Sequence, residues 1–201
     1  MPNAVADEPA KTGMHKFSKL RTITLEEHYT GPAFIASGAH APGPTSENPR
    51  FQATMTKLQD LGAGRLALMD EAGIDVQILS HTPGLEQIEA SEQVPMVRDT
   101  NDFLKDAVDR HPTRFAGLAS MCTMAPDDAA KELERMMQAG FKGAVINGHS
   151  RGRYLDDKFF WPILEAAEHL DAPIYLHPTE PPKAVFDAYY SGLSPLISTL
   201  F

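Results

Sequence analysis

The sequence predicts an α/β fold, a (β/α)8 TIM-barrel type that is incomplete, with about five strand–helix units. Three observations predict it. Short apolar runs lack clean polar alternation, so they read as strands buried on both faces of a parallel sheet. Helical stretches separate them, and the later units recur at roughly thirty residues, the size of a βαβ unit. Chemistry-bearing residues end the strands: Glu26 and His28, Ser80 and His81, Asn147, and His177. Barrel enzymes gather their reactive groups at that end. An open doubly wound sheet fits the same alternation and stands as the alternative architecture. A closed barrel takes about 250 residues, so the 201 residues here stop before closure.

Residues 1–19 are rich in Ala, Pro, Lys and small polar residues and lack the apolar core of a secretory signal. They read as a flexible N-terminal arm, with residues 20–201 forming the N-terminal portion of the barrel. Arg21 to His28 is the first strand, built from the β-formers Thr22, Ile23 and Thr24. Alternation should put Glu26 and His28 on one face and Glu27 on the other. A long Gly- and Pro-rich segment follows to Pro49 and reads as a substrate loop, with His40 in it as a solvated side chain.

Met55, Leu58, Leu61, Leu66, Leu68 and Met69 suit one amphipathic helix ending near Gly73, weakened at Gly62 and Gly64. Ile74 to Ser80 is the second strand. Val94 to Arg110 is helical, with Val97, Phe103, Leu104, Ala107 and Val108 inward, and His111-Pro112 stops it. Phe115 to Ser120 is the third strand. Pro126-Asp127-Asp128 opens a helix that ends at Gly140. Gly143 to Asn147 is the fourth strand, Phe159 to Leu170 holds a helix, and Pro173 to His177 is the fifth strand. Beyond it the chain runs through Pro178-Thr179-Glu180-Pro181-Pro182 and ends in the apolar stretch Leu193 to Phe201.

The net charge of −9 argues against a nucleic-acid or membrane binder. No stretch reaches the ~18 apolar residues of a membrane span. The single cysteine, Cys122, excludes an intrachain disulfide, fits a cytoplasmic setting, and reads as packing rather than as a nucleophile. A carboxylate and an imidazole side by side at a strand end make half of a metal site. The strands should bring Glu26, His28 and His177 together as ligands of one divalent ion.

Four motifs in order carry a resemblance. They are Leu25-Glu26-Glu27-His28, the run Arg65 to Asp75, Val145-Ile146-Asn147-Gly148, and Leu170 to Pro178. Together they resemble the amidohydrolase-related metal-dependent decarboxylases, the group acting on γ-resorcylate, 5-carboxyvanillate and aminocarboxymuconate semialdehyde. The resemblance runs from about Thr22 to Tyr190. It implies a (β/α)8 barrel with one divalent metal, with Glu26, His28 and His177 as ligands. Family members run on well past this length, with a Gly-His motif and a metal-binding aspartate that have no counterpart before Phe201. The catalytic His and Asp are therefore expected beyond the C-terminus, and the chain reads as the N-terminal part of a family member.

The implied reaction is non-oxidative decarboxylation of a hydroxyaromatic or related unsaturated carboxylic acid, with the metal as Lewis acid and template. Two histidines and a carboxylate suit Zn²⁺ first and Mn²⁺ second. His81 and Asn147 are the candidate substrate contacts. The alternatives are metal-dependent hydrolysis of an amide or lactone, and a non-catalytic remnant. An unclosed sheet exposes strand edges, so the chain should form a homo-oligomer and lack activity by itself.

Overall fold

The computed structural model describes residues 20–38 and 48–193. The expected arm at 1–19, His40, and Leu196, Ile197, Leu200 and Phe201 lie outside the described residues. The strands are β1 (Ile23–Tyr29), β2 (Val76–His81), β3 (Phe115–Gly117), β4 (Ala119–Ser120), β5 (Ala144–Asn147) and β6 (Ile174–His177). The helices are α1 (Pro32–Ala36), α2 (Pro49–Gln59), α3 (Ala63–Ala72), α4 (Ala90–Arg110), α5 (Pro126–Gln138), α6 (Trp161–His169) and α7 (Lys183–Tyr189).

All strand pairs are parallel, in two sheets ordered β1-β2-β3 and β4-β5-β6. Only Leu118 separates β3 from β4, and its backbone joins the sheets. The Leu118 amide donates to Leu79 O on β2 at 2.9 Å, and the next amide, Ala119, donates to Gly143 O beside β5 at 2.9 Å. Phe115 to Ser120 thus serves as one strand, with amides reaching alternately to either side. Strand order therefore follows chain order throughout. A doubly wound sheet reverses its order at a switch point and this one does not, so the architecture is a partial barrel.

Helices pack against this array through their buried residues. On α4, Val97, Leu104 and Ala107 recur near helical spacing and are fully buried. Leu133 and Met136 of α5 and Ile163 of α6 are also fully buried. Gly117 has no side chain because Phe141 lies where a Cβ would go, with the nearest ring carbon at 2.6 Å.

Two expectations are corrected, and one element is new. The single helix expected through Leu61 is two, α2 and α3, broken at Asp60-Leu61-Gly62. The Asp60 carboxylate causes the break by accepting the Gly62 and Arg65 amides at 2.8 and 3.1 Å, which caps the first turn of α3. A side chain at Gly64 would collide with that carboxylate. The loop after β1 contains a short helix, α1, opened by Pro32. The segment after β6, to which the sequence reading gave no element, contains α7.

Candidate metal centre

Glu26 and His28 stand on β1 and His177 on β6, the outermost strands of the two sheets. Their ligand atoms nevertheless lie within 4.8 Å of one another. The strand array must therefore curl, so that its first and last strands face each other. His28 Nε2 is 3.1 Å from His177 Nε2, and His177 Nε2 is 3.3 Å from Glu26 Oε1. Ligand bonds of about 2.0–2.2 Å to one ion put neighbouring donors about 2.8–3.6 Å apart. Both separations fall in that range.

Simple alternation does not produce this arrangement. The β1–β2 register slips between Thr24 and Glu27, which pair with Gln77 and Leu79. Leu25 and Glu26 thus share the space opposite Ile78, a β-bulge. Glu26 sits there at φ 64°, left-handed backbone for a non-glycine residue. Such strain costs about 1–3 kcal/mol and gathers at functional sites. The bulge aims the Glu26 carboxylate across at β6, where it meets Tyr175 and His177.

Hydrogen bonds orient each side chain. His177 Nδ1 lies 2.6 Å from Pro178 O, an acceptor only, so this nitrogen carries the proton and Nε2 keeps a lone pair. His28 Nδ1 lies 3.2 Å from the buried Ser80 Oγ, which can donate or accept. Without a cation, His28 Nε2–H can donate to His177. With one, His28 can move its proton to the Ser80 side and present a second lone pair. Burial, reinforced by His177, holds the His28 imidazole below its ordinary pKa, which favours the neutral form a cation needs. The donor set and its spacing therefore fit a divalent ion.

Arg65 fixes the strand end from behind. Its guanidinium is buried and donates to His28 O at 2.8 Å and to Gln77 Oε1 at 3.2 Å. Tyr175, two residues before His177 on β6, donates its hydroxyl proton to Glu26 Oε2. Sequence reasoning placed Ser80 at a strand end without giving it a role, and gave Tyr175 and Arg65 none. The signals were present for two of them: Tyr175 shares a face with His177 by alternation, and Ser80 is the register partner of His28.

The two candidate substrate residues are not members of the three-residue grouping. His81 is 2% exposed, its ring edge-on to Tyr29 and Phe34, with Nδ1 2.7 Å from Thr82 O. Asn147 ends β5 beside His177, and its Nδ2 donates to Glu86 Oε2 at 3.0 Å. Asn147 Oδ1 is buried with no partner among the described residues. Both residues border one cavity of about 10 Å³, also lined by Ser120 and Glu86. Glu86, unforeseen from the sequence, is buried and accepts the Gly84 amide at 2.9–3.0 Å.

The amidohydrolase family model matches residues 34–195. A γ-resorcylate decarboxylase of Polaromonas sp. is 37% identical over 168 residues, covering 79% of this chain and 50% of that protein. The crystal structure of a 5-carboxyvanillate decarboxylase from Sphingomonas paucimobilis matches with a TM-score of 0.78 and 33% identity, over 90% of this chain and 60% of that one. A dihydroxybenzoic acid decarboxylase of Polaromonas sp., solved with manganese and the inhibitor 2-nitroresorcinol, matches with a TM-score of 0.74 and 33% identity, over 89% and 56%. The chain spans about half the length of the curated relatives it matches.

Proposed function

This chain belongs to the amidohydrolase family, and on that premise we propose that it supplies the metal-holding part of a non-oxidative decarboxylase. Its substrate class is a hydroxyaromatic or related unsaturated carboxylic acid. The observation that carries this is the Glu26–His28–His177 grouping at the strand ends of a chain similar to decarboxylases that act on such acids. The three residues would hold one divalent ion. Manganese in a related structure supports Mn²⁺, and the two-histidine donor set also suits Zn²⁺. Bound there, the ion would supply a Lewis acid and a template for a carboxylate and its neighbouring hydroxyl.

The rest falls to protein groups. Glu26 would place negative charge beside the ion, and His28 and His177 would offer it their Nε2 atoms. Asn147, with its buried Oδ1 free of a partner among the described residues, is our candidate polar contact to substrate. His81 borders the same small cavity and is the second candidate. We assign no proton donor to these 201 residues and expect no turnover from them alone. The buried free thiol of Cys122 supports a cytoplasmic setting.

Association with a second copy is also part of the proposal. Among the described strands, β1 and β6 each pair on one side only. Ile23 and Leu25 on β1 and Leu176 on β6 are at least half exposed. Unpaired edges carrying apolar side chains drive association. No helix among the described residues is long and apolar enough to cross a membrane.

The test uses 2-nitroresorcinol and 2,6-dihydroxybenzoate. The chain loaded with Mn²⁺ should bind the nitroaromatic and the metal-free chain should not. Joined to the C-terminal half of a γ-resorcylate decarboxylase, it should release CO2 from the acid. Binding that ignores the metal, or a product formed by adding water, would refute the proposal. Turnover by the 201 residues alone would refute the assignment of the proton donor elsewhere.

A further inference from the structure

We infer that Tyr175 is a positioning residue for this centre. Its phenol holds one oxygen of Glu26 so that the other faces the two imidazoles. The inference rests on the metal-binding proposal above and adds a residue to it. Glu26 has little else to hold it. Its side chain is 42% exposed, and it stands on a bulge at the outer strand of its sheet. Tyr175 reaches it from β6, which shares no backbone hydrogen bond with β1. The same face of β6 carries His177, so one strand supplies a ligand and the group that orients another. The two carboxylate oxygens are divided between them: Oε2 accepts from the phenol, and Oε1 points at His177 Nε2, 3.3 Å away. A carboxylate free at both oxygens can chelate an ion. One whose second oxygen is taken by a phenol gives a single donor.

A rival role for Tyr175 is to tie β1 to β6 for the sake of the fold alone. Tyr175→Phe in the 201-residue chain separates the two, because it removes one oxygen and keeps the ring. Mn²⁺ affinity is read from the free-ion resonance signal, the coordination number from the visible absorption of bound Co²⁺, and fold stability from urea unfolding of the metal-free protein. The expected result is Mn²⁺ binding weakened about tenfold, a Co²⁺ band lowered in intensity as the carboxylate becomes chelating, and an unchanged unfolding curve. Unchanged Mn²⁺ affinity and Co²⁺ spectrum would overturn the inference. So would a loss of affinity matched by an equal loss of metal-free stability, since the tyrosine would then serve the fold. If the unsubstituted chain binds no Mn²⁺, the metal proposal itself fails and this inference goes with it.

Discussion

Arg65→Met should loosen the fold at the strand end that carries His28. Arg65 Nε donates to Asp60 O at 2.8 Å and Nη2 to His28 O at 2.8 Å. Two longer bonds, to Gln77 Oε1 at 3.2 Å and Lys57 O at 3.3 Å, complete the set. Each short bond from a charged donor contributes about 1.5–3 kcal/mol, and the long ones contribute less. Burial of the guanidinium offsets part of this, as the lowering of its pKa by desolvation indicates. Methionine keeps most of the aliphatic packing, so the net loss is about 3 kcal/mol, a large share of the roughly 5–15 kcal/mol that holds a domain folded. With a urea dependence of about 2 kcal/mol per molar, the unfolding midpoint should fall by about 1.5 M. The assay is urea unfolding of the metal-free protein followed by far-ultraviolet circular dichroism. A midpoint shift below about 0.3 M would refute the reasoning, because the bonds and the burial cost would then cancel.

His177→Ala should abolish Mn²⁺ binding while Glu27→Gln retains it, measured by metal content after dialysis; equal loss from both would mean that the faces of β1 are assigned the wrong way round. Gly117→Ala should destabilise by about 1–3 kcal/mol in thermal unfolding, because the new Cβ meets the buried Phe141 ring. A neutral effect would show that the ring can move aside. Burial pushes the Cys122 thiol up to about 12. The raised pKa keeps it protonated throughout the neutral range, so iodoacetamide at pH 8 should modify only the denatured chain. Rapid labelling of the native chain would contradict this.

Much of the fold was legible in the chain because it rests on local patterns. The apolar runs at Ile74 to Ser80 and Gly143 to Asn147 are strands almost where the sequence puts them. Pro126-Asp127-Asp128 opens α5 as its residue types require. The apolar spacing in Val94 to Arg110 gives the buried stripe of α4. Strand-end positions singled out Glu26, His28 and His177, and the structure brings the three together.

What only the tertiary structure decided depends on partners distant in sequence. The same strand–helix alternation serves a doubly wound sheet and a barrel, and the backbone bonds on either side of Leu118 choose the barrel order. The Asp60 carboxylate, turned back over the next helix start, breaks what helical spacing alone would run through. Alternation along β1 says nothing of the bulge at Glu26, because a bulge is a mismatch with a second strand and exists only once β2 is alongside. Tyr175 and Glu26 are 149 residues apart. Their contact follows from the curl that makes the first and last strands face each other, and no local pattern encodes that curl.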